Sequence, residues 1–290
     1  MVLVRRAAYE MSIGLWHRLF DDAALFPPAS ESLERAVVSH QAFRDSADAA
    51  FVGPFLVPGA ALAELSVVLP QGASVFEIAL IERNVDAVAA RLDEVRRDDR
   101  LRVYAVEVAG EPDHAALVLR AVLPPDVLGY VEIPYGATVS ADLQPVAKAG
   151  LRAKFRTGGT TPEAFPTETE LAHAIAECVR ADVAFKLTAG LHHALRRCDE
   201  GTGFEHHGLL NVVAAIDLAR NGGVPGEVAG VLAHQDAASL VRAVEAMGDS
   251  HIAEVRRLLA SIGTCSIAEP LAELRTLGLL RSLQLPGPPA

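Results

Sequence analysis

Two of the rarest side chains in this chain stand where an apolar run ends, and their type suggests chemistry. Of 26 basic residues only three are lysine: Lys148, Lys154 and Lys186. Lys154 lies between Ala153 and Phe155, and Lys186 between Phe185 and Leu187. An ammonium in such a setting is costly to bury unless it is paired. Arginine supplies a permanent charge and a bidentate fork at least as well, whereas lysine alone offers an amine that can shed its proton. A lysine with the ordinary pKa of about 10.4 is protonated near neutrality and is not nucleophilic. Desolvation or a neighbouring cation lowers that value. The expected assignment is therefore Lys186 as an imine-forming nucleophile, with Lys154 and Arg156 depressing its pKa and holding a substrate anion.

Glu107 and Glu132 end two other apolar runs and are the candidates for moving protons as a carbinolamine forms and collapses, a task that needs a carboxyl poised toward neutrality. Thr157, Gly158 and Gly159 follow Arg156, and Thr188 follows Leu187; these, with Asp22 in an acidic segment near the N-terminus, are the candidate substrate-binding residues. Backbone N–H groups at Gly158-Gly159-Thr160-Thr161 can hold an anion, with Arg156 adding charge, although a plain βα turn is the preferred account. Four of ten histidines fall within 16 residues as His192-His193 and His206-His207. His192 or His193 is a candidate acid/base, with an ordinary pKa of about 6.5. A set of Glu107, Glu132, His193 and His207 is the alternative, a site for a divalent metal; no cofactor is favoured. Cys265-Ser266 lacks a GxSxG elbow, and Trp16 and Tyr135 read as packing.

The run Phe185-Lys186-Leu187-Thr188-Ala189-Gly190 resembles the segment of class I barrel aldolases of the deoxyribose-phosphate aldolase type in which Lys-x-[Ser/Thr]-x-Gly carries the Schiff-base lysine. Lys154, with Thr157-Gly158-Gly159 behind it, is similar to the second lysine of that family. In those enzymes the second lysine lies on the strand after the nucleophile, whereas Lys154 precedes Lys186. The resemblance spans about a dozen residues and implies a barrel fold and lyase chemistry through a lysine imine.

Positioning these groups requires a scaffold that brings several strand ends together. Short β-branched runs at 51–57, 75–81, 101–108, 127–133, 151–157, 183–188, 227–232 and 262–265 alternate with segments of helical period such as 84–96 and 168–180. Thr167-Glu168-Thr169-Glu170 has the spacing of a capping box. Eight such strands joined by right-handed crossovers close a parallel (β/α)8 barrel of the TIM-barrel type. The strands are near-continuously apolar, as strands covered on both faces are, and no GxGxxG or GxxxxGK[ST] follows any of them, which disfavours an open doubly wound sheet. In such a barrel the chemistry sits at the carboxyl ends of the strands. Alternation along a strand then places Val103, Ala105 and Glu107 on one face, and likewise Tyr130 with Glu132, Lys154 with Arg156, and Lys186 with Thr188. A single domain is expected: an N-terminal extension over 1–50 with a capping loop at 21–28 and a helix at 30–44, the barrel over 51–282, and a tail over 283–290.

Composition excludes several classes. A net charge of −11 without a basic cluster argues against nucleic acid. The longest uncharged run, 49–63, is broken by Pro54 and Pro58 and is shorter than the roughly 20 residues of a membrane span. With 51% hydrophobic and 22% charged residues the chain is neither disordered nor fibrous. Three cysteines, Cys178, Cys198 and Cys265, match neither a disulfide framework nor a zinc motif, and the N-terminal residues lack the pattern of a signal peptide. The expectation is a cytoplasmic enzyme with a small-molecule substrate, its self-association left open. A barrel without activity that serves as a binding or scaffold protein is the third reading, since one fold hosts many functions.

Overall fold

A computed structural model describes residues 14–70 and 75–280. Eight parallel strands close a barrel: β1 (Phe20–Asp22), β2 (Val52–Pro58), β3 (Phe76–Glu82), β4 (Leu101–Val108), β5 (Leu128–Glu132), β6 (Arg152–Arg156), β7 (Phe185–Thr188) and, after a two-stranded hairpin of β8 (Arg197–Cys198) and β9 (Glu205–His206), β10 (Leu259–Thr264). Strand β1 pairs on one side with β2 and on the other with β10, which completes the cylinder. The helices lie outside. They include α1 (Leu33–Arg44), α2 (Leu62–Val68), α3 (Val88–Val95), α4 (Pro112–Val122), α5 (Val139–Ala149), α6 (Glu168–Ala181), α7 (Leu209–Arg220), α8 (Pro225–Ala233), α9 (Ala237–Glu245), α10 (Asp249–Leu258) and α11 (Ala268–Thr276). Among the described residues no helix is long and apolar enough to cross a membrane.

The apolar strand residues serve two cores. Phe55, Val57, Leu80, Val106, Val131, Phe155 and Leu187 point outward and are buried beneath the helices. Leu56, Ala79, Ala105 and Tyr130 fill part of the lumen. The capping box at α6 forms as its spacing requires: the Thr167 hydroxyl accepts from Glu170 N at 3.2 Å and the Glu170 carboxylate accepts from Thr167 N at 2.8 Å.

Two expectations need correction. The segment 227–232 is not a strand but lies inside α8, where Pro225 occupies the first turn and the Glu227 carboxylate accepts from Val224 N at 3.1 Å, closing the helix start. The residues before 51 are not merely an extension, because Phe20–Asp22 supplies the first barrel strand and α1 is the crossover between β1 and β2. The tail at 283–290 lies outside the described residues. Strand alternation is also interrupted in β4. A bulge pairs Ile78 with Val103 but Ala79 with Ala105, so Val103 packs outward while Tyr104 turns toward the lumen.

Candidate active site

With Phe20–Asp22 counted as the first strand, Glu107, Glu132, Lys154 and Lys186 stand on the fourth to seventh strands of the barrel, the two glutamates near the carboxyl ends and the two lysines at mid-strand. Register places Glu132 beside Lys154, Lys154 beside Lys186, and Lys186 beside Ser261. The result is a chain of alternating charge across the lumen. Asp21 Oδ2 accepts from Lys186 Nζ at 2.7 Å and from Ser261 Oγ at 2.6 Å. Lys186 Nζ also donates to Glu107 Oε1. The other oxygen of Glu107 lies 3.1 Å from Lys154 Nζ, which is in turn 3.2 Å from Glu132 Oε2. Beneath Lys186 the Tyr130 ring has its centroid 5.5 Å from Nζ.

From Lys186 to Glu132 exposure rises along this chain. The Lys186 and Glu107 side chains are fully buried, Lys154 is 8% exposed and Glu132 is 26% exposed. Burial by itself would lower the Lys186 pKa, but the Asp21 and Glu107 carboxylates outweigh it and raise it. Burial would raise Glu107, but Lys186 and Lys154 together hold it below its ordinary value. For Asp21 burial prevails, lifting the carboxyl above its usual range despite Lys186 and Ser261. The expectation that Lys186 is a depressed, nucleophilic amine is therefore not met. Its neighbours of opposite charge are in direct contact, and they stabilise the ammonium.

The other candidates separate into those at the mouth and those engaged elsewhere. Arg156 is exposed at the end of β6, and among the described residues no carboxylate pairs with it. Thr157 is buried; its hydroxyl is spent on the Thr188 and Ala189 carbonyls, tying the loop after β6 to the loop after β7. Gly158 packs so closely on this second loop that an added Cβ would sit 2.8 Å from Gly190 Cα. Gly159 abuts Ala164 in the same manner, at 2.6 Å. Thr188 lines the lumen opposite Gly263, where a side chain would meet its hydroxyl at 2.8 Å. Asp22 points away from the lumen: its carboxylate contacts His40 Nδ1 on α1 at 3.0 Å and caps Ala24 N at 3.1 Å. It joins β1 to the helix layer and does not line the site.

The histidines do not converge on the carboxylates. His192 Nδ1 is 3.3 Å from Glu269 and its Nε2 3.7 Å from Cys265 Sγ, while His193 Nδ1 is 2.7 Å from Glu273, one turn further along α11. His206 Nδ1 meets the Gly190 carbonyl at 3.1 Å, and buried His207 donates from Nε2 to the Pro166 carbonyl at 2.8 Å. Burial lowers the pKa of His192, His206 and His207. Among the described residues no three His, Cys, Asp or Glu side chains are grouped to hold a metal, and the set Glu107, Glu132, His193 and His207 is not brought together by its contacts.

Asp21 and Ser261 were not among the sequence candidates. The cue for Asp21 is alternation: in an Asp-Asp strand whose second acid meets a helix, the first faces the lumen. Ser261 is hidden by a bulge in β10, where Leu259 pairs with Phe185 and Ser261 with Lys186.

The fold and this cluster define a (β/α)8 barrel with a charge-paired lysine couple in the carboxyl-terminal half of its lumen. Comparison with models of known protein families and with curated proteins gives no match to either.

Proposed function

We propose that the protein is a lyase of the Schiff-base aldolase kind acting on a small anionic carbonyl compound, with Lys154 rather than Lys186 as the imine-forming amine. One observation carries this assignment: each lysine contacts two carboxylates, but Lys186 is fully buried whereas Lys154 is 8% exposed and adjoins half-buried Glu132, the solvent end of the chain. The exchanged roles restore the strand order of the aldolases that the sequence resembles, where the second lysine lies on the strand after the nucleophile, but leave the Lys-x-[Ser/Thr]-x-Gly motif on the second lysine, Lys186.

The chemistry follows from the contacts. Glu132 accepts a proton from the Lys154 ammonium. The free amine adds to the substrate carbonyl carbon, and Glu132 relays a proton from the new ammonium to the alkoxide, giving a carbinolamine. Protonation of its hydroxyl by Glu132 expels water and leaves an iminium. The iminium draws the electrons of the adjacent carbon–carbon bond into an enamine, while Glu132 takes the proton of the substrate hydroxyl that becomes the released carbonyl. Reprotonation of the enamine carbon and addition of water to the iminium return the amine.

Lys186 acts as a positioning residue. Its ammonium keeps Glu107 ionised and shares it, so Lys154 is held less tightly than it would be by an undivided carboxylate. Arg156, free and exposed at the mouth, offers a fork to the substrate anion.

The test is borohydride reduction of the protein incubated with a panel of small aldehydes and 2-oxo acids, read by intact mass. A covalent increment with at least one carbonyl compound, absent in Lys154→Arg, supports the reading. No increment with any member of the panel refutes it.

A further inference from the structure

The opposite, amino-terminal mouth of the barrel gathers positive charge in a chain whose net charge is −11. Four arginines meet there. Arg18 precedes β1, Arg102 and Arg152 open β4 and β6, and Arg256 ends α10 just before β10. Glu77, near the start of β3, takes Arg18 NH2 at 2.8 Å and also pairs with Arg102. The remaining two have no such partner. Arg152 NH1 donates to the Tyr130 hydroxyl at 3.3 Å, with its guanidinium carbon 5.8 Å from that ring's centroid. Among the described residues Arg256 donates to backbone carbonyls alone, those of Leu259 at 2.6 Å, His17 at 3.1 Å and Ala260 at 3.2 Å. Among the described residues neither has a carboxylate in ion-pair contact.

These cations ring the amino-terminal ends of the barrel strands. Arg18 lies over the Tyr104 ring, 5.0 Å from its centroid. Burial, then Arg18 and Arg256, lower the pKa of His17, which precedes Arg18 and whose backbone carbonyl accepts from Arg256. Burial holds Arg256 below its ordinary value; Asp21, Tyr130 and Tyr104 oppose that, and Arg152 adds to it. The spare negative charge of the lumen is in the upper cluster, where three carboxylates face two ammoniums, but the buried Tyr130 ring lies between Arg152 and Lys186. Asp21 acts on Arg256 only through its field, since among the described residues neither Arg152 nor Arg256 is in ion-pair contact with a carboxylate. Partly buried guanidinium groups without a counter-charge are unfavourable, and the planar fork of arginine matches the oxygens of a tetrahedral oxyanion.

We propose that the amino-terminal mouth of the barrel is a binding site for an inorganic oxyanion of the phosphate type, held by Arg152 and Arg256 with Arg18 at its edge. It is distinct from the carboxyl-terminal cluster, and it stands whether or not Lys154 forms an imine.

The experiment is isothermal titration of the full chain with inorganic phosphate at constant ionic strength. It is run in the Arg156→Gln variant, which removes the free cation of the opposite mouth. The expected result is saturable binding of one phosphate per chain, weakened at least tenfold when Arg152→Gln is added and partly restored by Arg152→Lys. A cooperative thermal melt of each variant without phosphate checks that it folds. If Arg152→Gln does not fold, Arg152→Lys alone decides, with at least a threefold weakening expected for loss of the fork. Absence of saturable binding in Arg156→Gln overturns the proposal, as does affinity unchanged by either Arg152 substitution.

Discussion

Replacing Lys186 by methionine keeps the volume and removes the charge at the centre of the lumen. Two carboxylates lose a partner: among the described residues Asp21 retains Ser261 alone, and Glu107 retains Lys154 alone, at 3.1 Å. Breaking a buried ion pair from one side costs about 3–5 kcal/mol. Because both acids keep one partner, the expected loss is at the lower end, about 3 kcal/mol, or roughly 6–12 °C in Tm for a domain of this size. The loss depends on pH with a definite sign. The folded-state pKa of Asp21 is raised by burial, so its protonation favours the fold; that contribution is complete below the unfolded value of about 3.9 and is lost as pH rises through the folded one. Removing the ammonium raises it further, so the deficit of Lys186→Met shrinks as pH falls from 7 toward 5. Adding Asp21→Asn to Lys186→Met removes the stranded charge and recovers at least half the loss. Urea unfolding of the three proteins at pH 7 and pH 5 is the assay. A single-variant loss below about 0.5 kcal/mol, the usual range for an inconsequential surface change, refutes the reasoning. A double variant no more stable than the single one refutes it equally.

Three further outcomes are expected. Glu107 has a folded pKa below its unfolded value, so its contribution is present above about pH 4.3 and lost as pH falls through the lower folded value; in acid-series urea melts the gap between wild type and Glu107→Gln closes below about pH 4, and a constant gap contradicts this. Gly190→Ala loses about 2–4 kcal/mol, because its φ of +75° is left-handed and the new Cβ would sit 2.3 Å from the Thr157 carbonyl oxygen, whereas Gly226→Ala, in α8 with nothing within 4 Å, gains about 0.5–1 kcal/mol; equal midpoints in denaturant for the two would be wrong for this account. Lys154→Arg keeps the positive charge beside Glu107 and Glu132 and holds stability within about 1 kcal/mol of wild type, while covalent trapping disappears; a large drop in Tm instead would mark Lys154 as chiefly structural.

Much of the barrel was legible because its interior strands are covered on both sides and read as unbroken apolar runs. Glu107, Glu132, Lys154 and Lys186 stood out as the charged interruptions of those runs, and alternation along β5, β6 and β7 assigned them to one face. The failures have physical causes. Strand β1 is only three residues, two of them acidic, so no apolar run announces it, and with it Asp21 was missed in favour of Asp22. Val228, Val231 and Leu232 mimic a strand, yet they pack the inner face of a helix whose start is marked by Pro225 and Glu227. Which lysine is the more accessible is not set by the number of acids, since each meets two, but by depth: Lys186 is fully buried beside Asp21, which reaches it across a sequence separation of 165 residues, whereas Lys154 adjoins the half-buried Glu132. The histidine pairs clustered in sequence, but loop geometry directs His192 and His193 to two glutamates on α11.

The most direct measurement is peptide mapping by mass spectrometry of the protein reduced with borohydride in the presence of a reactive carbonyl compound. The adduct is expected on the peptide containing Lys154, with Lys186 unmodified and with trapping diminished, not relocated, in Lys186→Met. Modification of Lys186 in the wild-type protein would contradict the assignment of roles, and no modification of either lysine would contradict imine chemistry at this site altogether.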